Sequence, residues 1–143
     1  MVELNGTELT IEQVMAVARH KEQVRISEPA KQKIDRARAY VDEKLAQKAV
    51  IYGLTTGFGK FSDTFVPEQE TAALQRNLII SHACGMGAPL PCEVVRGAML
   101  LRCNALARGN SGIRLSTLET LLAMLNRGVH PVVPEKGSLG ASG

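Results

Sequence analysis

The sequence predicts an all-α fold carrying two irregular, glycine-rich segments. Three observations predict it. Apolar residues recur at spacings of three and four over stretches of helical length. Cap-forming residues stand just ahead of those stretches. Glycine and proline gather in two places, around residues 53–59 and 129–143, where a regular helix cannot continue.

The elements follow in order. Thr10-Ile11-Glu12-Gln13 has the form of a capping box, in which Thr10 and Gln13 satisfy each other's backbone amides, so a short helix is expected to run to about Lys21. Ser27-Glu28-Pro29 opens a second helix, because proline is tolerated in a first turn and an acid suits its positive end. Ile34, Ala37, Val41 and Leu45 give that helix an apolar face. Val50-Ile51-Tyr52 is too short and apolar to assign. Gly53, Gly57 and Gly59 then mark a mobile loop. Pro67-Glu68 starts a third helix running into Ser81-His82, and the segment from Gly85 to Pro89 ends it. Pro91-Cys92-Glu93 starts a fourth, through Val95, Met99, Leu100, Cys103 and Leu106. The fifth spans Ile113 to Arg127, with Leu118, Leu121, Leu122 and Leu125 inside and Gly128 as its cap.

Composition narrows the function classes. The 143 residues are enough for one modest domain with a core. With no Trp, two Tyr and three Phe, that core must rest on aliphatic side chains. Seventeen basic against fourteen acidic residues leave +3, dispersed in alternating sign, which gives no clustered face for nucleic acid. No apolar run is long enough for a membrane, and the first residues lack the pattern of an export signal. Cys84, Cys92 and Cys103 form no close pair, so reduced thiols in the cytoplasm are expected, each packed as a small buried apolar residue. Nothing suggests a metal.

Three residues or groups could carry chemistry. By composition alone, Ala141-Ser142-Gly143 is a flexible turn, Tyr52 beside Ile51 is a core aromatic, and His82 near a helix end is a surface or satisfied core histidine. Their surroundings change the weighing. Tyr52-Gly53-Leu54-Thr55-Thr56-Gly57-Phe58-Gly59, then Asn77-Leu78-Ile79-Ile80-Ser81-His82-Ala83-Cys84-Gly85, then Val129-His130-Pro131-Val132-Val133-Pro134 ahead of the terminal tripeptide, occur in one order and spacing. Together they resemble the aromatic amino acid ammonia-lyase family, over essentially the whole chain.

The resemblance implies a fold, a cofactor and a site. The fold would be the N-terminal part of the helical ammonia-lyase (aspartase/fumarase-like) architecture with glycine-rich active-site loops. Residues 1–143 would be its cofactor-bearing domain, part of a longer protein. In the family an internal Ala-Ser-Gly cyclises to methylidene-imidazolone, which here would form from Ala141, Ser142 and Gly143. The residue types suit that chemistry: the Gly143 amide attacks the Ala141 carbonyl unhindered, and the Ser142 hydroxyl leaves as water to give the exocyclic methylidene. The product is an electrophile, which no ordinary side chain supplies, and ammonia elimination needs one because an amine leaves poorly.

The same resemblance makes Tyr52 the catalytic base and Gly53, Gly57 and Gly59 the hinges of a lid. A free tyrosine titrates near about 10, so the role requires nearby positive charge or helix N-termini. His82 would line the substrate pocket. The pair Ser81-His82 matches histidine-specific members. Tyrosine-specific members carry His at the position of Ser81 and Leu at that of His82, and plant phenylalanine-specific members Phe-Leu. The implied substrate is therefore L-histidine, giving urocanate in histidine degradation. Thr55 departs from this pattern, since histidine-specific members commonly have Asn there. The family also implies a cytoplasmic homotetramer in which each site draws on three subunits. Two alternatives stay open: a phenylalanine or tyrosine ammonia-lyase or aminomutase, and a helical interaction domain without chemistry.

Overall fold

The computed structural model describes residues 1–47, 49–56 and 68–137, with the side chains of 68–71 left aside. The expected helical character holds, with five helices among the described residues. The order is β1 (Val2–Leu4), α1 (Ile11–His20), β2 (Val24–Ile26), α2 (Glu28–Ala46), α3 (Glu68–His82), β3 (Met86–Pro89), α4 (Cys92–Ala107), α5 (Leu115–Asn126) and β4 (Pro134–Lys136). The chain divides into two compact units, Met1–Val41 with Gly87–Glu135, and Asp42–Met86 with Lys136–Gly143.

Local chemistry sets the helix ends. The capping box forms as expected: the Gln13 amide donates to Thr10 Oγ1 at 3.3 Å, and the Thr10 amide donates to Gln13 Oε1 at 3.0 Å. Ser27 Oγ accepts from the Ala30 amide at 3.3 Å and opens α2. Gly128, at φ 74, ends α5. Its amide donates to Leu125 and that of Val129 to Met124, a Schellman pair that satisfies two otherwise open carbonyls.

In the first unit, α4 packs against α1 and α5, and the β1–β2 sheet lies against α4 and α5. Val17, Ile34, Leu100, Cys103, Ala107, Leu118 and Leu125 are almost wholly buried at its centre. The second face of α2 is only partly covered: Ile34 is buried, Ala37 and Val41 are half-buried, and Leu45 is exposed. Gly97 of α4 faces α1, where an added Cβ would lie in ordinary contact with Val14 Cγ1 at 3.9 Å.

The strands are the main departure from the sequence reading. β1 and β2 pair in parallel with Val2 opposite Val24, Glu3 opposite Arg25 and Leu4 opposite Ile26. Each alternates buried, exposed, buried. Three residues of alternation are too few to separate from coil by pattern. On the other side of β2 the Val24 amide donates to Asn126 Oδ1 at 2.9 Å, and Asn126 Nδ2 donates to the Val24 carbonyl at 2.8 Å. β3 and β4 form the second two-stranded sheet.

The cysteine expectation holds for one residue of three. Cys103 is buried in the core, and burial pushes its thiol up to about 11. Cys84 and Cys92 are exposed, contrary to expectation. The first follows the end of α3 and the second occupies the first turn of α4, neither of which faces the apolar centre.

Among the described residues, Arg96 is the largest fully buried side chain and makes no salt bridge. Its Nε donates to the Ala18 carbonyl at 3.2 Å, Nη2 to Val17 at 2.8 Å and Nη1 to Leu125 at 2.9 Å. These carbonyls belong to the last turns of α1 and α5, where helices leave acceptors open and carry negative partial charge. The charge is thus neutralised by two helix ends. Arg96→Met is expected to destabilise by on the order of 3 kcal/mol, since removal orphans buried acceptors. Arg96→Lys should recover only part, because a point-like ammonium cannot span both helices. Urea midpoints check this, and an unchanged midpoint for the Met variant would refute it.

Candidate active site

All the buried apolar residues named above belong to the first unit. In the second, the described buried residues are two hydroxyl side chains, Thr55 and Thr56, at 9% and 2% exposure. They follow Tyr52, the residue expected to act as base, and hydrogen-bond the backbone on either side of it.

Tyr52 lies in a tight turn. The amides of Leu54 and Thr55 both donate to the Ile51 carbonyl at 3.0 Å. Gly53 takes φ 71, which a side-chain-bearing residue would adopt only under strain, so the glycine after Tyr52 is what lets the chain reverse there. The hydroxyls fill the inside of the turn. Thr55 Oγ1 donates to the Ala49 carbonyl at 2.7 Å and accepts from the Ile51 amide at 2.9 Å. Thr56 Oγ1 accepts from the Gly53 amide at 3.2 Å. Tyr52 itself is 64% exposed, so it is not the core aromatic that composition alone allows.

His82 is the last residue of α3 and is exposed. Its Nδ1 lies 2.9 Å from the Leu78 carbonyl. A carbonyl only accepts, so in the neutral tautomer that makes this hydrogen bond Nδ1 carries the proton and Nε2 is left as an acceptor. Ser81 Oγ donates to the same carbonyl at 2.9 Å and stands 2.9 Å from the same ring nitrogen. The Ser81-His82 pair is thus coupled in space as well as in sequence. Of α3's apolar residues, Ile79 and Ile80 are exposed and Leu74 and Leu78 are half-buried.

The segment leading to the tripeptide passes close to the end of α3. A Cβ on Gly137 would stand 3.1 Å from the Gly85 Cα, an approach that only glycine allows comfortably, and Cys84 Sγ lies 4.0 Å from the Gly137 carbonyl. Ala141, Ser142 and Gly143 lie outside the described residues, as do Gly57 and Gly59 of the expected lid. No group of residues able to hold a metal ion occurs among the described residues. Thr55 and Thr56 were not singled out as site residues by sequence. The available signal was a pair of β-branched hydroxyl residues immediately after a glycine turn.

The family model for aromatic amino acid lyases matches residues 9–143. Histidine ammonia-lyase of Alkaliphilus oremlandii is 58% identical over 140 residues, which cover 98% of this chain and 28% of that protein. The chain thus spans a little over a quarter of the length of the curated relatives it matches. Among solved structures, the ergothioneine-degrading ergothionase of Treponema denticola superposes with a TM-score of 0.90 at 35% identity, covering 97% of this chain and 28% of that one. Histidine ammonia-lyase of Trypanosoma cruzi superposes with a TM-score of 0.88 at 38% identity, covering 96% and 27%. With a family match over nearly its whole length and these folds in common, the chain belongs to the aromatic amino acid lyase family.

Proposed function

We propose that the protein containing this chain is a histidine ammonia-lyase, which eliminates ammonia from L-histidine to give urocanate. The observation that carries the substrate is His82. It stands exposed at the end of α3 with Nδ1 bound to Leu78, and so offers Nε2 as an acceptor to the imidazole N–H of a substrate. Beside a phenyl ring the same nitrogen would be desolvated without a partner. Relatives that are 50–58% identical over nearly the whole chain are histidine ammonia-lyases, which supports the same reading.

The cofactor belongs to the same proposal. Ala141-Ser142-Gly143 contains each atom that methylidene-imidazolone needs: a carbonyl, a hydroxyl that can leave, and an unhindered amide nitrogen. Once formed, the group supplies an electrophile that helps the amine depart. The side chains of the chain do the rest. The Tyr52 phenol takes the substrate's β-proton. His82 Nε2 orients the imidazole through a hydrogen bond to its N–H. The Ser81 hydroxyl keeps the His82 ring turned toward substrate.

A homotetramer in the cytoplasm completes the proposal. The exposed Ile79 and Ile80 of α3 and Val94 and Leu101 of α4 suit helices that pack against further helices of the same protein or its copies. No helix among the described residues is long and apolar enough to cross a membrane.

The test is substrate preference in the complete protein. Urocanate formation from L-histidine is expected to exceed cinnamate formation from L-phenylalanine and coumarate formation from L-tyrosine by roughly 10⁴-fold or more in kcat/KM, as for sites built to hydrogen-bond their substrate. Preference for either phenyl substrate would refute the assignment to histidine.

A further inference from the structure

We infer that Thr55 and Thr56 are positioning residues for Tyr52, holding its phenol where the reaction needs it. The inference rests on the proposed role of Tyr52 as base. It assigns to two hydroxyls a function that the motif alone does not.

The geometry is specific to the residue between them. Two consecutive peptide groups flank Tyr52. The one before it is fixed through the Ile51 carbonyl, which accepts from both Leu54 and Thr55 amides. The one after it is fixed through the Gly53 amide, which donates to Thr56 Oγ1. Thr55 Oγ1 extends the restraint one residue further back, accepting from the Ile51 amide while donating to the Ala49 carbonyl. Every pin reaches the backbone from inside the turn, where both threonines are buried. Tyr52 meanwhile stays exposed.

Tyr52 therefore stands at a braced base, even though the glycine-rich sequence after it suggests a moving lid. Physical chemistry favours that arrangement for a proton acceptor. A misplacement of about 1 Å in a reacting group can cost roughly a hundredfold in rate. A side chain with only two rotatable bonds inherits its position from its backbone. A buried hydroxyl that both donates and accepts fixes two backbone groups at once, and it has no water nearby to replace it.

The experiment is a double-mutant cycle in the complete, active enzyme. Thr55→Val keeps shape and removes the hydroxyl. It is expected to lower kcat at least roughly tenfold with KM little changed, the signature of a misplaced catalytic group. In a Tyr52→Phe background the same substitution should cost nothing further, because no phenol remains to misplace. Thr55→Ser, which retains the hydroxyl, should restore most of the rate. Thr56→Val should follow the same pattern.

Three outcomes would overturn the inference. Equal losses in both backgrounds would make the threonines general structural supports. Failure of both valine variants to fold would do the same. Parental activity in Tyr52→Phe alone would remove the base itself, and so would refute the underlying reading rather than the bracing.

Discussion

Ser142→Ala is expected to abolish ammonia elimination by the complete protein while leaving its fold intact. Without that hydroxyl no methylidene can form, so the loss is of the electrophile itself and not of an adjustable interaction. One hydroxyl contributes little to packing, and circular dichroism and oligomeric state should match the parent. Intact mass separates the explanations. The parent should weigh less than its sequence by two waters, and the variant should show no methylidene dehydration. A parent with its full mass that is still active would refute the cofactor assignment, and so would an active Ser142→Ala variant.

Tyr52→Phe comes next in size. The substitution removes one oxygen from an exposed side chain and leaves its turn untouched, because the turn is held by backbone and threonine hydroxyls. Stability should hardly move. Turnover should fall by roughly two to four orders of magnitude, the usual contribution of a positioned acid or base. A drop under about tenfold would move the proton acceptor elsewhere.

The contrast between these residues shows what a sequence can disclose. The expectation for Ser142 rests on chemistry that is covalent and local. Cyclisation needs three residue types in succession, and no distant group is required to recognise them. The expectations for Tyr52 and His82 rest on the segments around them, and the structure places Tyr52 in a turn and His82 at the end of α3, both exposed. The capping box at Thr10 and the Gly128 cap were legible for a similar reason, since each is made by residues within a single turn.

What was not legible depends on contacts far apart in the chain. Arg96 in mid-helix reads as solvated surface. Only the convergence of α1 and α5 on α4 makes it a buried clamp. Three-residue strands are stable only as a pair, so β1 has no meaning until β2 meets it. The cysteines illustrate the converse error. Residue type predicted burial for all three, whereas position in the fold decided it for each. Thr55 and Thr56 fall between these cases. Their partners lie within six residues, but their importance comes from burial, and residue order alone does not reveal that.

The Asn126 contact with β2 has a consequence for how the chain avoids its own copies. A strand at the rim of a sheet offers unpaired amides and carbonyls to any extended segment that drifts past, and a two-stranded sheet is all rim. A carboxamide is a peptide group on a side chain, with one face that donates and one that accepts. By engaging both polar groups of Val24, Asn126 occupies the position that the first residue of an incoming strand would need. The polymer-forming register is blocked at its starting point by a helix terminus, in addition to the charge that Arg25 places on the strand itself.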